Sequence, residues 1–390
     1  MTVKFCLDWL AGPNAQVELF SPSAAALGGL YQLKYTPAFR ATIRPPIEER
    51  PLGPAELRPI NSQLNKLATA IDARSGNTEQ PNRVAAVDIP DPFADMAELG
   101  TQLLDLMMPP YVQADLRAAE LFLEIGMDDK LLEYPWELMH DGDEFLCLKH
   151  AIGRFVNGAA QPMIARQPVT QLGSSLDALS ILLISVPRPQ PRDDGLTYEH
   201  LKEAEAETDT IIETISKIEG ISLSTLIGKE ATWSNVWKTL RGQTFQIIHF
   251  NGHATFDEAT PRSAGLVLFD RNMLTGSIAT FFGRNPPLLC FINACETAKA
   301  ATWKNRHDIF GLASAFLNTG AYLLGTRWKI NDKAAAEFAK RFYTSLIVNH
   351  KSIGAAVKDA RIATKVAAPD DFAWASYVFY GDPRVCFRRV

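Results

Sequence analysis

The sequence predicts an α/β protein built on a doubly wound, mostly parallel sheet flanked by helices. Three observations carry this. The segment LSILLISV, residues 179–186, is an almost unbroken apolar run of the kind found in a central strand buried on both faces. From that point onward strand-like runs alternate with amphipathic stretches of helical period. No repeat and no low-complexity tract points to a different architecture.

Taken in order, residues 1–95 carry weak signals. Proline-containing segments (TIRPPIEERPLGPAELRP and DIPDPFADM) surround one helix expected over Asn61–Ile71. From Phe93 to Met108 apolar residues recur at helical spacing, and Pro109-Pro110 stops them. AELFLEIGM reads as a strand. LLEYPWELMHDGDEFLCLKHAIGRFV places a Pro-Trp turn before an Asp-Gly turn and another strand, with Trp136 a packing residue between halves. Residues 157–176 are polar, carry Gly and Pro without periodicity, and read as a linker. Beyond it come a helix from about Tyr198 to Ile218, the strand ISLSTLI, and the helix TWSNVWKTLRG with a threonine cap. The strands FQIIHF, LLCFINA and AYLLGT follow, with the helix DIFGLASAFLNTG ending at Gly320, helices over 332–348 and 352–366, and a last apolar segment, WASYVFYG. The expected division is an N-terminal half, 1–165, packed on a C-terminal half, 170–390.

Composition excludes several function classes. A net charge of −5 without any Lys/Arg run gives no reason to bind nucleic acid or an acidic membrane. Cys6, Cys147, Cys290, Cys295 and Cys386 are scattered and never spaced CxxC, so neither a disulfide framework nor a metal site is expected, and no cofactor is implied. That pattern fits a reducing compartment. The apolar start MTVKFCLDWLAG is short and broken by Asp8, unlike a signal peptide, and no run is long enough to span a bilayer. The expectation is a soluble cytoplasmic protein.

Chemistry gathers at two strand ends. FQIIHF runs into Asn251-Gly252-His253, and LLCFINA runs into Cys295. In a doubly wound sheet the working residues collect at the C-terminal edge of the strands. If the two strands are parallel neighbours, His253 and Cys295 emerge together, and an imidazole beside a thiol turns it into a good nucleophile. The remaining cysteines fit inert core positions, and His249, inside its strand, fits a structural role. His140, His150, His200, His307 and His350 have no nucleophile motif beside them. The stretch GISLSTLIGK lacks the glycine spacing of a phosphate loop, and GxSxG, HExxH and GxGxxG patterns are missing from the chain.

The order and spacing resemble the caspase-like proteases, in which histidine lies about 50 residues before an Ala-Cys turn; here His253 stands 42 residues before Cys295 in Asn293-Ala294-Cys295-Glu296-Thr297. More closely, residues 95–390 resemble the CHAT family, relatives of the caspases and separases. The pieces are PWELM with FLCLKHAIGR, HFNGHAT, FINACETA, GLASAFLNTGAYLLGTRWKIND and WASYVFYGDP. The resemblance implies a caspase-like fold with a smaller N-terminal pseudo-caspase half. It implies Cys295 as nucleophile, His253 as its partner, and the backbone N–H groups of Ala254 and Cys295 as an oxyanion hole. The family carries Gly directly after the histidine, where this chain has Ala254.

By the same resemblance Trp328 and Asp332, after the strand AYLLGTR, line the pocket for the side chain preceding the scissile bond, and Asp332 would favour Arg or Lys there. Asp332 equally suits the cap of the helix DKAAAEFAKRF. The implied function is a cysteine endopeptidase acting on specific protein substrates in a prokaryotic defence or cell-death pathway, latent until activated or met by an activating protein partner. The alternative is a catalytically silent scaffold that recruits partners.

Overall fold

The computed structural model describes residues 4–20, 30–38, 47–52, 54–74, 92–128, 131–132, 134–156, 175–192, 196–255, 264–282, 285–294, 308–328, 330, 332–369 and 371–389. The chain divides into two compact units, one formed by the described parts of residues 12–163 and the other by those of Met1–Ala11, Ile164–Ala300 and Asn305–Val390.

The first strand, β1 (Phe5–Trp9), belongs to the second of these units. The smaller unit then opens with β2 (Asn14–Phe20), β3 (Leu30–Thr36) and β4 (Ile47–Pro51). Helices α1 (Pro54–Arg74), α2 (Pro92–Met107) and α3 (Pro110–Ala118) follow, then β5 (Phe122–Met127), the short α4 (Leu146–Lys149) and β6 (Ala151–Val156). Its strands lie in the order β4-β3-β2-β5-β6. The β2–β3 and β3–β4 pairs are antiparallel; β2–β5 and β5–β6 are parallel. In β2 inward Ala15, Val17 and Leu19 alternate with half-exposed Gln16, Glu18 and Phe20, the pattern of a strand with one wet face.

Two motifs of this unit have a structural explanation. Arg154 on β6 is fully buried and meets Glu137 of the PWELM turn in a fork: Nε donates to Oε1 at 2.8 Å and Nη2 donates to Oε2. The guanidinium also donates to the carbonyls of Leu132 and Tyr134 at 3.3 and 3.2 Å. Trp136 is buried and donates its indole N–H to Leu131 O at 2.9 Å, both residues belonging to this unit.

The larger unit continues with β7 (Ser175–Leu176), β8 (Leu179–Ser185), α5 (Lys202–Ile215), β9 (Ile221–Ile227), α6 (Trp233–Gly242) and β10 (Ile247–Gly252). A small sheet of β11 (Ala254–Thr255), β12 (Gly265–Val267) and β13 (Asn272–Leu274) leads into α7 (Thr275–Phe282) and β14 (Leu289–Ala294). Next come α8 (Asp308–Leu317), β15 (Tyr322–Thr326), α9 (Asp332–Tyr343) with a π-turn over Thr344–Val348, α10 (Ile353–Ala367), α11 (Ala373–Ser376), β16 (Tyr377–Tyr380) and β17 (Val385–Arg389). The main sheet runs β16-β15-β14-β10-β8-β9, parallel except for β16. The chain starts in the sheet's interior at β8, builds β9 on one side and then crosses to β10 on the other. The C-terminal ends of β8 and β10 are therefore its topological switch point.

Strands β1–β4 and helix α3 were not expected, and the helix expected over Asn61–Ile71 runs from Pro54 to Arg74; beyond them the differences from expectation are local. Ser175 and Leu176, assigned to the linker, form β7 and pair with β1, which also pairs with β17. The rest of that linker lies outside the described residues. The helix placed over Tyr198–Ile218 begins later, at Lys202. Among the described residues no helix is long and apolar enough to cross a membrane.

The Arg154–Glu137 fork yields a stability test. Glu137→Ala strands a permanently charged guanidinium in the core and should cost ~3–5 kcal/mol, read as a lowered urea midpoint.

Candidate functional site

The site grows from one face of the larger sheet. Alternation along β10 sends His249 and Asn251 to the same side, and His253 follows directly at the strand's end. On β14 the same side carries Phe291 and Asn293. Helices α5 and α9 cover that face: Asn251 Nδ2 donates to Ala204 O at 2.9 Å, and Phe291 packs against Phe338, Phe342 and Tyr343.

At its centre is Glu207, an acid in the buried stripe of α5 and only 2% exposed. Asn293 Nδ2 donates to both of its oxygens at 2.9 Å, and His249 Nε2 lies 3.2 Å from Oε1. On its other side His249 Nδ1 is 3.1 Å from Tyr343 Oη. Nδ1 accepts the hydrogen bond of the phenol O–H, while Nε2 makes no hydrogen bond to the carboxylate beside it. Burial, with the Glu207 charge second, pushes the Tyr343 phenol far up, so it remains a donor. His249 thus has the structural role expected of it.

The β10–β14 pairing is parallel, with Asn251 opposite Asn293 and Gly252 opposite Ala294. Gly252 leaves little room for a side chain: a Cβ there would lie 3.1 Å from the Phe250 ring and 3.2 Å from Val186 O, so a neighbour would have to give by a few tenths of an ångström. That close approach accompanies the bond from Val186 N–H to Asn251 O, 2.8 Å, across the switch point. His253 follows, 1% exposed, with Nε2 2.8 Å from Glu199 O. A carbonyl can only accept, so Nε2 carries the proton and Nδ1 is the basic nitrogen. The Tyr198 ring packs on the imidazole at 5.3 Å between centroids.

Ala254 is fully buried opposite Leu266. Val267 N–H donates to His253 O at 2.9 Å. That bond makes Ala254 and Leu266 a non-hydrogen-bonded pair, so the Ala254 N–H points away from β12.

Cys295, the nucleophile expected from sequence, lies outside the described residues, as does His307. Asp332 is the first residue of α9, and its side chain lies outside the described ones. Trp328, just past β15, is 8% exposed and donates Nε1–H to Phe372 O at 3.3 Å, while its backbone N–H donates to Ser376 Oγ at 3.1 Å. Burial drives the Cys290 thiol far above the range in which thiolate forms at neutral pH, and it also raises that of Cys386. Cys147 is buried and Cys6 half-buried. Among the described residues no cluster of His, Cys, Asp and Glu could hold a metal.

Sequence reasoning missed Glu207, Asn293, Glu199 and Tyr198. The readable signal for the first two was a charge inside the apolar stripe of a helix and an amide inside an apolar strand. Glu207→Ala should remove the acceptor of both Asn293 bonds and destabilise the larger unit by about 2–4 kcal/mol, whereas Glu207→Gln should lose less; thermal melts of both variants check this.

The family model of the CHAT domain matches residues 97–382. No curated protein matches the chain. Among solved structures, two of the Saccharomyces cerevisiae separase–securin complex are similar, with TM-scores of 0.54 and 0.51 at 11% identity. Each alignment covers 95% of this chain and 30% of the matched one, so this chain spans under a third of its length. The Arg-specific cysteine proteinase gingipain R aligns at a TM-score of 0.47 and 11% identity, over 86% of this chain and 76% of that one. The larger sheet with its flanking helices is the caspase-like fold that the sequence predicts.

Proposed function

The chain belongs to the CHAT-domain family, and we propose that it is a cysteine endopeptidase with Cys295 as nucleophile and His253 as its base. The observation that carries this is the parallel register of β10 and β14. Gly252 and Ala294 are partners in the ladder, and His253 and Cys295 are the next residues of their chains. Covalent geometry keeps each within ~3.8 Å, Cα to Cα, of its strand's last residue.

In the proposed reaction the Cys295 thiol gives its proton to His253 Nδ1, and the thiolate attacks the scissile carbonyl carbon. The C–S bond forms as the carbonyl π electrons move to oxygen, where the N–H groups of Ala254 and Cys295 receive the negative charge. Collapse breaks the C–N bond, His253 returns the proton to the departing amine, and a thioester remains. Water then attacks with His253 again as base, releasing the acid and restoring the thiol. The Glu199 carbonyl supports this cycle by holding the Nε2–H tautomer, which leaves Nδ1 to move protons.

The substrate would be a protein, with a slight preference for Arg or Lys before the scissile bond. Asp332 opens α9 close after β15. Its carboxylate suits a helix N-terminus and a cationic side chain alike. Latency, an activating partner, a cytoplasmic setting and a role in defence or cell death rest on family resemblance.

Cys295→Ala and His253→Ala should each abolish turnover with melting temperature nearly unchanged, measured by mapping new protein N-termini. Retained cleavage in Cys295→Ala would assign the chemistry to another group. Asp332→Ala should depress cleavage after Arg and Lys; a stability loss of about 1 kcal/mol with unchanged preference would leave it only a helix-capping role.

A further inference from the structure

At the far side of the larger sheet, β9 is an edge, and among the described residues nothing pairs with its outer side. Its sequence, Ile-Ser-Leu-Ser-Thr-Leu-Ile, holds no charge and no proline, so it lacks the usual devices that keep an edge from pairing. Which backbone groups point outward follows from one bond: Leu179 N–H donates to Gly220 O at 2.8 Å. By alternation the groups of Ser222, Ser224 and Leu226 face β8. Those of Leu223, Thr225 and Ile227 face away, with the carbonyl of Ile221; the Ile221 N–H already donates to Ile218 O at 3.2 Å.

We propose that this edge pairs with β9 of a second copy of the chain, antiparallel about a two-fold axis through Ser224. In the stretch Gly220–Gly228 (GISLSTLIG) the outer two pairs, Gly220 with Gly228 and Ile221 with Ile227, are symmetric about that residue. In this register Gly220 faces Gly228, Ile221 faces Ile227, Ser222 faces Leu226 and Leu223 faces Thr225. The pairs Leu223–Thr225 and Ile221–Ile227 are those whose main-chain groups point outward, so about six cross-strand bonds close. On the α5 side, Ile221, Leu223, Thr225 and Ile227 meet their counterparts, and Ile227 is 37% exposed without them.

Charge selects the same register. Glu219 and Lys229 flank the strand, and each comes opposite the other in the copy. Both are exposed, and among the described residues Lys229 carries no ion pair, while Glu219 meets Arg389 at 3.2 Å. Moving the axis to Leu226 sets Lys229 against Leu223, and moving it to Ser222 sets Glu219 against Thr225. The two-fold makes the contact isologous and closed, giving a dimer rather than a fibre.

Sedimentation velocity across a dilution series of the full chain tests this, with a reversible dimer expected. Ser224 faces its own copy in a non-hydrogen-bonded pair, Cα atoms ~4.5 Å apart, within disulfide reach. Ser224→Cys should therefore give a covalent dimer in oxidised glutathione beyond the wild-type background. Ser222→Cys should not, its copies lying ~13 Å apart. Thr225→Pro removes an outward N–H without touching the β8 ladder and should weaken dimerisation at least ~10-fold. A chain that stays monomeric to roughly 100 μM overturns the proposal. So does a dimer that ignores Thr225→Pro or cross-links through Ser222→Cys instead.

Discussion

A carboxylate withdrawn from water has to be met by donors, and Glu207 finds its donor in Asn293 of β14, whose amide serves both oxygens. From β10, His249 lies 3.2 Å from the same carboxylate and Asn251 donates to Ala204 O on the helix that carries Glu207. These bonds tie α5 to the two strands that lead to His253 and Cys295 in sequence. The same helix is preceded by Glu199, whose carbonyl holds the His253 imidazole. One helix therefore fixes the strand ends and the orientation of the base. Tyr343 completes the ring from α9, kept neutral by its burial beside the same carboxylate.

Around that brace the catalytic proposal needs few further parts. The Nε2–H tautomer of His253 follows from its acceptor and leaves Nδ1 to exchange protons. The Ala254 amide points away from β12 because of where the ladder bond from Val267 falls. Ala254 in place of glycine fits that geometry: it sits in an ordinary paired strand opposite Leu266, a conformation open to any L-residue. The tighter spot is Gly252, two residues earlier, where the chain passes Val186.

How much of this was legible depended on how local the physics was. The strands β8, β10, β14 and β15 are buried almost throughout, and their largely apolar runs announce them in sequence. The caps at Thr232 and Ser352 are equally local, each side chain accepting from an amide three residues on. The first four strands were not legible. In β2 and β3 polar residues such as Gln16, Glu18 and Lys34 dilute the apolar signal, and prolines follow nearby. The two residues of β7 are a strand only because β1, from the other end of the chain, pairs with them. Glu207 stayed hidden for a related reason: a helix read for its apolar face shows Ile211 and Ile215 but not the acid between them and Ala204. What makes that acid tolerable is on strands distant in sequence.

The central claim is that a thiol at the end of β14 is activated by His253. Intact-mass and peptide mapping after treatment with a peptidyl acyl-ketone thiol probe tests it most directly. The account predicts one adduct, on Cys295, that nearly vanishes in His253→Ala while Cys290 stays unlabelled in the folded protein. Equal labelling of Cys295 in wild type and His253→Ala, or labelling of another cysteine in its place, would contradict it.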